Sequence, residues 1–324
     1  MSKILITGAA GFLGLQVSRR LLAQGHEVHL IDNMQRGVLD SEFSEVLAHG
    51  SAHFIELDLT EPASLDQLDR DFDQIYHFAA MLGVERVLKA PYEVLTLNAS
   101  SMQNVLNWAR KLSGLKRFIF SSTSEIYAGT RSHYSIPVPT PESVNITLES
   151  VEKPRTSYAL SKAYGEALLH ASGLPLTILR YHNIYGPRMG FDHVIPQIIG
   201  KIIDHSEVSV PSADHTRAFC FIEDAVTQTI AAANAENTIG ITLNVGNSSE
   251  EIRIEDLVRK IADALKMEIT INPEPATEGS PDRRCPDTSK MTALVGIKAQ
   301  VSLEEGLKRT CEWYLPHYLK EDLD

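Results

Sequence analysis

Cysteine is scarce in this chain: Cys220, Cys285 and Cys311 are the only three among 324 residues. They are too few and too scattered for a disulfide framework, and none has a partner at metal-ligand spacing, so three neutral thiols are expected. The 12 histidines include no HExxH motif, and no protein-built metal site is expected. No apolar run approaches the ~20 residues of a membrane helix. Met1-Ser-Lys leads straight into Ile4-Leu-Ile, which reads as a chain without a signal peptide and predicts a cytoplasmic location with no membrane partner. Positive charge is short as well. Lys and Arg number 30 against 42 Asp and Glu, a formal net charge of −12, which argues against a nucleic-acid partner. A small anionic ligand held by a few local arginines remains open.

What is present is ordinary in bulk and specific in detail. A content of 43% hydrophobic and 22% charged residues fits a globular protein, and the length fits one large domain or two lobes. Lys3-Ile-Leu-Ile-Thr7 reads as a short apolar strand. It runs into Gly8-Ala-Ala-Gly11-Phe12-Leu13-Gly14 and then into a helical pattern carrying Leu15, Val17, Leu21 and Leu22. Glu27-Val-His-Leu-Ile-Asp32 follows as a second strand ending in an acid, with Asn33 after it. A strand, a glycine turn opening a helix, and a second strand closed by an acid about 20 residues on can cradle a pyrophosphate on main-chain amides. Asp32 can accept both ribose hydroxyls of NAD and would repel the 2′-phosphate of NADP, although Arg36 lies near and a solvated strand-end Asp is the bland reading.

Further strands are expected at His53 to Leu57, Gln74 to Ala80, Phe118 to Phe120 and Leu176 to Arg180. Asp58-Leu59 ends the first of these, where the carboxylate could meet an adenine amino group or simply cap the helix of Pro62 to Leu68. Small residues at Ala79 and Ala80 allow a cofactor close to the main chain. A helix is expected around Asn98 to Lys111. Residues 129–153, with three prolines, read as a loop over the sheet. Strands alternating with helices over about 180 residues predict an α/β, Rossmann-type doubly wound parallel sheet, with a smaller α/β lobe at the C-terminus. The expected division is 1–182, with a return near 217–246, against 183–324. The acidic tail Lys320-Glu-Asp-Leu-Asp324 reads as a frayed end.

The chemistry concentrates at two stretches. Ser121-Ser122-Thr123-Ser124-Glu125-Ile126-Tyr127 places hydroxyls and a carboxylate just after a buried strand. Tyr158-Ala-Leu-Ser-Lys162 puts a phenol and an ammonium at i and i+4 on one helix face. A hydroxyl, a phenol and a lysine can together take the proton of a sugar alcohol as its hydride leaves. An ammonium beside Tyr158 would favour phenolate, making it a base near neutral pH.

Taken in order, Gly8-x-x-Gly11-x-x-Gly14, Asp32, Asp58-Leu59, Phe78-Ala-Ala80, Asn98, Ser121-Ser-Thr123, Tyr158-x-x-x-Lys162, Asn183-Ile-Tyr-Gly-Pro-Arg188 and Arg217-x-Phe resemble the NAD-dependent nucleotide-sugar epimerase/dehydratase branch of the extended short-chain dehydrogenases. The resemblance covers nearly the whole chain. It implies NAD as cofactor, held by Gly8, Gly11, Phe12, Leu13, Gly14, Asp32, Asn33, Asp58, Leu59, Ala79, Ala80, Asn98, Ser121, Tyr158 and Lys162. It implies a UDP-sugar substrate held by Ser122, Thr123, Asn183, Arg188, Val194, Arg217 and Arg284. It also implies a homodimer built on the helices of Asn98 to Lys111 and Tyr158 to His170.

Within that branch, dehydratases place an Asp where Ser124 stands, and simple 4-epimerases place a small or hydroxyl residue where Glu125 stands. Thr-Ser-Glu followed by an aliphatic residue and Tyr is similar to the UDP-glucuronate decarboxylases. So is an Arg ahead of a Lys-Pro-Asp/Ser, matched here by Arg284-Cys285-Pro286-Asp287. The chain departs from that pattern in Cys285, in Ile126-Tyr-Ala-Gly129 and in the length of the following loop. The resemblance implies Tyr158, Lys162, Thr123, Glu125 and Arg284 as catalytic residues, with UDP-glucuronate as substrate and Glu125 protonating C5 once carbon dioxide has left. A 4-epimerase of a UDP-sugar or UDP-uronate, a 4,6-dehydratase and a non-catalytic cofactor-binding regulator are the alternatives. As a plain structural residue, Glu125 would pair with Arg284 or another cation.

Overall fold

Strands built from Ile, Leu, Val and Phe with no polar face are stable only inside a sheet covered on both sides. The first strand shows this: Ile4, Leu5 and Ile6 are all fully buried. The computed structural model describes residues 1–276 and 281–319, so the acidic tail Lys320 to Asp324 lies outside the described residues. The strands run β1 Lys3–Thr7, β2 Glu27–Asp32, β3 Ala52–Glu56, β4 Gln74–His77, β5 Arg117–Thr123, β6 Leu176–Tyr181, β7 Ile184–Tyr185, β8 Glu207–Pro211, β9 Thr216–Ala218, β10 Cys220–Phe221, β11 Ile241–Val245, β12 Glu251–Arg253, β13 Thr270–Glu274 and β14 Arg283–Arg284. The helices are α1 Phe12–Ala23, α2 Ser41–Leu47, α3 Val84–Lys89, α4 Pro91–Ala109, α5 Ala128–His133, α6 Thr156–Ala171, α7 Val194–Asp204, α8 Ile222–Asn234, α9 Ile254–Leu265, α10 Ser289–Val295 and α11 Leu303–Leu319.

Seven strands form one parallel sheet in the order β11-β6-β5-β4-β1-β2-β3. β1 pairs with β2 on one side and β4 on the other. The winding direction therefore reverses at the carboxyl end of β1, where an open α/β sheet binds its ligand. On one side of the sheet a core joins Leu5, Phe72, Ile75, Phe118, Phe120 and Ile178 to Val105, Trp108 and Leu169 of α4 and α6. Each such side chain is worth about 1.5–3 kcal/mol when fully buried.

Two compact units result. The first comprises Met1–Gly129, Ile146–Arg180 and Thr229–Leu243; the second comprises Thr130–Asn145, Tyr181–Gln228 and Asn244–Asp324. The expected division differs in three respects: the boundary falls after 180, the return into the first unit is 229–243, and residues 130–145 go to the second. The second unit carries small sheets of its own, β12-β9-β14, β13-β8 and β10-β7.

Several elements depart from expectation for local reasons. α4 begins at Pro91, earlier than Asn98, because a proline at N1 loses no hydrogen bond and presets φ. Residues Pro62–Gln67 form a 3₁₀ turn. Asp58 does not cap it but accepts from the main-chain and side-chain groups of Thr60, at 2.9 and 2.8 Å. The stretch expected as loop from 129 holds the short helix α5. Gly129 is fixed there by close approach, since a Cβ would stand 2.0 Å from the Thr147 carbonyl oxygen. α6 starts without a side-chain cap.

Candidate active site

The glycine turn lies against β4 with no room for side chains. Gly8 has φ +70° and a Cβ there would meet the Ala79 nitrogen at 2.7 Å; at Gly14 it would meet the Gly8 carbonyl oxygen at 2.1 Å. Gly11 is the N-cap of α1 and offers no side chain to its first amides, which suits a pyrophosphate there. Asp32 closes β2 and ties the turn together. One carboxylate oxygen accepts from Ala10 N at 3.0 Å and the other from Met34 N at 3.0 Å. A carboxylate oxygen can accept more than one hydrogen bond, so ribose hydroxyls suit this strand end. The residues present thus fit a dinucleotide. Asn98 accepts from Met81 N at 2.6 Å and donates to the Met81 carbonyl at 3.0 Å and to Ser161 Oγ at 3.2 Å. It fixes the chain after β4 and ties α4 to α6, so any contact with cofactor would add to a framework role.

The end of β5 and the start of α6 bring the chemical groups together. Thr123 ends the strand as N-cap of the 3₁₀ turn Ser124–Tyr127, its hydroxyl accepting from Glu125 N at 3.2 Å. Its proton can still be donated, and the Tyr158 phenol is its hydrogen-bond partner. Lys162 Nζ donates to the Ser121 carbonyl at 2.7 Å and lies 5.9 Å from the Tyr158 ring centre. Glu125 is half-buried. Of the charged neighbours that act on the Tyr158 phenol, Glu125 opposes ionisation and Arg36 favours it.

Two expectations need correction. Tyr158 is not poised as phenolate near neutral pH in the chain by itself. Burial first, and then the Glu125 carboxylate, raise its pKa well above the ordinary tyrosine value, against smaller lowering by Thr123 and Arg36. Burial also pushes the Lys162 ammonium down to about 7, with Glu166 acting the other way, so Lys162 is a weaker source of positive charge than a free lysine. The second correction is Ser122. Side chains alternate along a strand, and Ser122 faces α6, where its hydroxyl donates to Glu166 at 2.5 Å. The proton of that hydroxyl is committed to the core carboxylate of Glu166. Glu166 also accepts from Arg180 Nε at 2.9 Å and from a terminal nitrogen at 2.7 Å. Arg180 in turn donates to the Tyr127 hydroxyl at 2.8 Å. The sequence reading passed over Glu166, although it stands one helical turn beyond Lys162 on the same face.

Within the second unit, β14 and β9 run parallel and set Arg284 directly opposite Arg217. Of the two consecutive arginines, Arg283 is committed to Glu251, through Nε at 2.7 Å and a terminal nitrogen at 2.8 Å. Arg284 is the member expected to act on substrate. Arg131 joins them: it donates to the Arg283 carbonyl and, at 3.1 Å, to Thr140 Oγ1. Burial and the neighbouring Arg284 and Arg283 lower its pKa. The reading of 130–153 as loop hid Arg131. Asn183, with φ +42°, donates its amide to the Ala218 carbonyl at 2.9 Å, beside Arg217. Arg188 is buried with φ +65°, and Val194 is exposed at the start of α7. Burial raises the Cys285 thiol to about 11, so this position, where relatives were expected to carry a lysine, holds a neutral group. Phe12, Leu13, Asn33 and Leu59 lie in or beside the turns around the cofactor end of the first unit.

A family model described as "NAD dependent epimerase/dehydratase family" matches residues 4–246. The chain belongs to that family. It is 33% identical over 326 residues to the UDP-N-acetyl-alpha-D-glucosaminuronate decarboxylase of Bacillus cytotoxicus, covering 96% of this chain and 97% of the relative. It is 28% identical to the UDP-glucuronic acid decarboxylase 1 of Xenopus tropicalis, over 99% of this chain and 73% of the relative. Among solved structures, UDP-glucuronic acid 4-epimerase from Bacillus cereus, in complex with UDP-glucuronic acid and NAD, matches with a TM-score of 0.85 at 27% identity. That match covers 98% of this chain and 100% of the other.

Proposed function

We propose that the chain decarboxylates a UDP-uronate, using NAD held by the first unit. The observation that carries this is Glu125 beside the Thr123–Tyr158 pair: a carboxylate close enough to influence the phenol stands where simple alcohol oxidation needs none. The names of two relatives that span nearly this whole chain support it. They also widen the sugar from glucuronate to its 2-acetamido form. When bound, NAD supplies the oxidant that accepts the hydride from sugar C4.

Tyr158 takes the proton from the 4-hydroxyl, assisted by the Thr123 hydrogen bond and by the positive charge of Lys162 and Arg36. The sugar is then a 4-ketone with its carboxylate β to the carbonyl. Breaking the C5–C6 bond releases carbon dioxide and leaves its electron pair as an enolate, whose oxygen is placed to accept from Thr123 and Tyr158. Glu125, once it has taken up a proton from solvent, donates it to C5. Arg217, Arg284 and Arg131 of the second unit are cations of the kind that suits diphosphate and carboxylate oxygens. An alternative is supported by the 4-epimerase match: the same oxidation followed by return of hydride to the other face.

Purified protein incubated with NAD and either UDP-glucuronate or UDP-N-acetylglucosaminuronate separates the readings. Release of carbon dioxide with a product lighter by that mass supports decarboxylation. An isomer of unchanged mass from both substrates would replace it with the epimerase, and no product from either would remove both. Tyr158→Phe should lower kcat/KM at least 10²-fold while NAD binding is retained. Full activity in that variant would end the assignment of Tyr158.

A further inference from the structure

The amino ends of β2 and β3, remote from Asp32, carry a side-chain cluster that the proposed reaction does not use. Glu27 and His29 are two residues apart on β2 and share one face of the sheet. The parallel register sets His29 beside His53 of β3, the strand at the sheet edge. His29 Nε2 lies 2.8 Å from Glu27 Oε1, and His53 Nε2 lies 3.8 Å from the same oxygen. The two imidazole rings are 4.8 Å apart. One ligand atom from each residue falls within 4.8 Å of the other two.

We propose that Glu27, His29 and His53 form a binding site for a divalent transition-metal ion of the zinc class. Zinc bonds nitrogen and carboxylate oxygen at about 2.0–2.2 Å, so tetrahedral ligands stand roughly 3.4 Å apart. The cluster brackets that spacing, and side-chain rotation in the half-exposed His53 closes it without movement of the strands. Two imidazoles and one carboxylate suit zinc, and not calcium or magnesium, which prefer oxygen alone. The ring of His29 is braced edge-on by Phe72 at 5.0 Å. Lys3, whose ammonium lies 5.4 Å from the centre of the same Phe72 ring, is paired with Asp69 at 2.6 Å and Asp71 at 2.7 Å, and Asp69 itself is close enough to feel both rings.

Spacing along the chain hid this site. His26 and His29 stand at i and i+3, but His26 turns away and accepts from Ser2 N at 3.1 Å through Nδ1. The true neighbour of His29 lies 24 residues on, across a strand pair. A metal there would fasten the edge strand β3 to β2 and take no part in the sugar chemistry.

The test uses full-length protein freed of metal by a chelator. Titration with zinc alone, followed calorimetrically, should show one saturable site per chain. Cobalt in its place should give the visible absorption of a tetrahedral ion. His53→Ala, a substitution at an exposed side chain, should weaken zinc binding at least tenfold and abolish the cobalt band. His29→Gln should do the same, and His205→Ala in the second unit should change neither. Zinc should raise the unfolding temperature of the parent and of His205→Ala but not of His53→Ala. Undiminished binding in His53→Ala, or equal loss in His205→Ala, would overturn the site.

Discussion

Glu125 acts on Tyr158 before any substrate arrives, because its negative charge is among the forces that keep the phenol protonated. Replacing that charge has opposite effects on two steps. Glu125→Gln removes a charge that raises the Tyr158 pKa, so formation of the 4-ketone should be unchanged or faster. Protonation at C5 loses its acid and should slow by about 10²–10⁴-fold, the usual worth of a positioned acid. Single-turnover absorbance of NADH against incorporation of a solvent deuteron at C5 of the product measures the two separately, and equal rates in parent and variant would remove Glu125 from the mechanism. Lys162 is the second residue whose environment has a measurable consequence. Its folded pKa of about 7 lies below the ordinary 10.5, so between those values the unfolded chain holds more protons than the folded one. Stability owed to this residue therefore rises with pH across that window. Compared with Lys162→Met, the parent should gain roughly 1–3 kcal/mol from pH 7 to pH 9 in urea unfolding.

At the scale of elements, the site depends on how closely α6 lies on β5. Gly165 is the contact point: a Cβ there would stand 2.6 Å from the ring of Phe120, a side chain only 2% exposed. The same ring lies under Lys162, whose Nζ is 5.0 Å from its centre. Gly→Ala in a helix interior normally gains about 1 kcal/mol in propensity. Overpacking a filled core typically costs 1–3 kcal/mol, and a closed aromatic site cannot give way, so the clash should win. Gly165→Ala should lose up to about 2 kcal/mol in denaturant and also lower activity, since Phe120 and Lys162 move together. A stabilised variant of full activity would show that α6 has slack here.

Those elements also mark what the sequence could disclose. The glycine turn, Asp32, Thr123, Tyr158 and Lys162 are legible because each is a short-range pattern tied to one strand end or one helix face. Other parts depend on pairings far apart in the chain. Arg117 is the clearest case: it ends up buried, donating to Thr177 at 2.8 Å and Thr238 at 2.7 Å, with no local signal. Arg284 opposite Arg217, Arg180 on Glu166, and His53 beside His29 likewise follow from sheet order and register. Ser122 likewise has its partner far off in the chain, the Glu166 carboxylate on α6.

For the molecule as a whole, the division into two units gives NAD a definite thermodynamic signature. The glycine turn, Asp32, Tyr158 and Lys162 all belong to the first unit, so NAD selects the folded state of that unit without needing the arginines of the second. At 100 times its Kd, NAD should raise unfolding free energy by about 2.7 kcal/mol. Calorimetry should show the shift in the transition that reports the first unit. Arg284→Ala should leave that shift intact while impairing turnover. NADP at the same concentration should shift the transition less, because Asp32 meets its 2′-phosphate with a like charge. Asp32→Ser should then narrow the difference between the two cofactors. If NADP stabilises the parent as well as NAD does, Arg36 and not Asp32 governs the ribose, and the carboxylate serves only the bonds it makes to Ala10 and Met34.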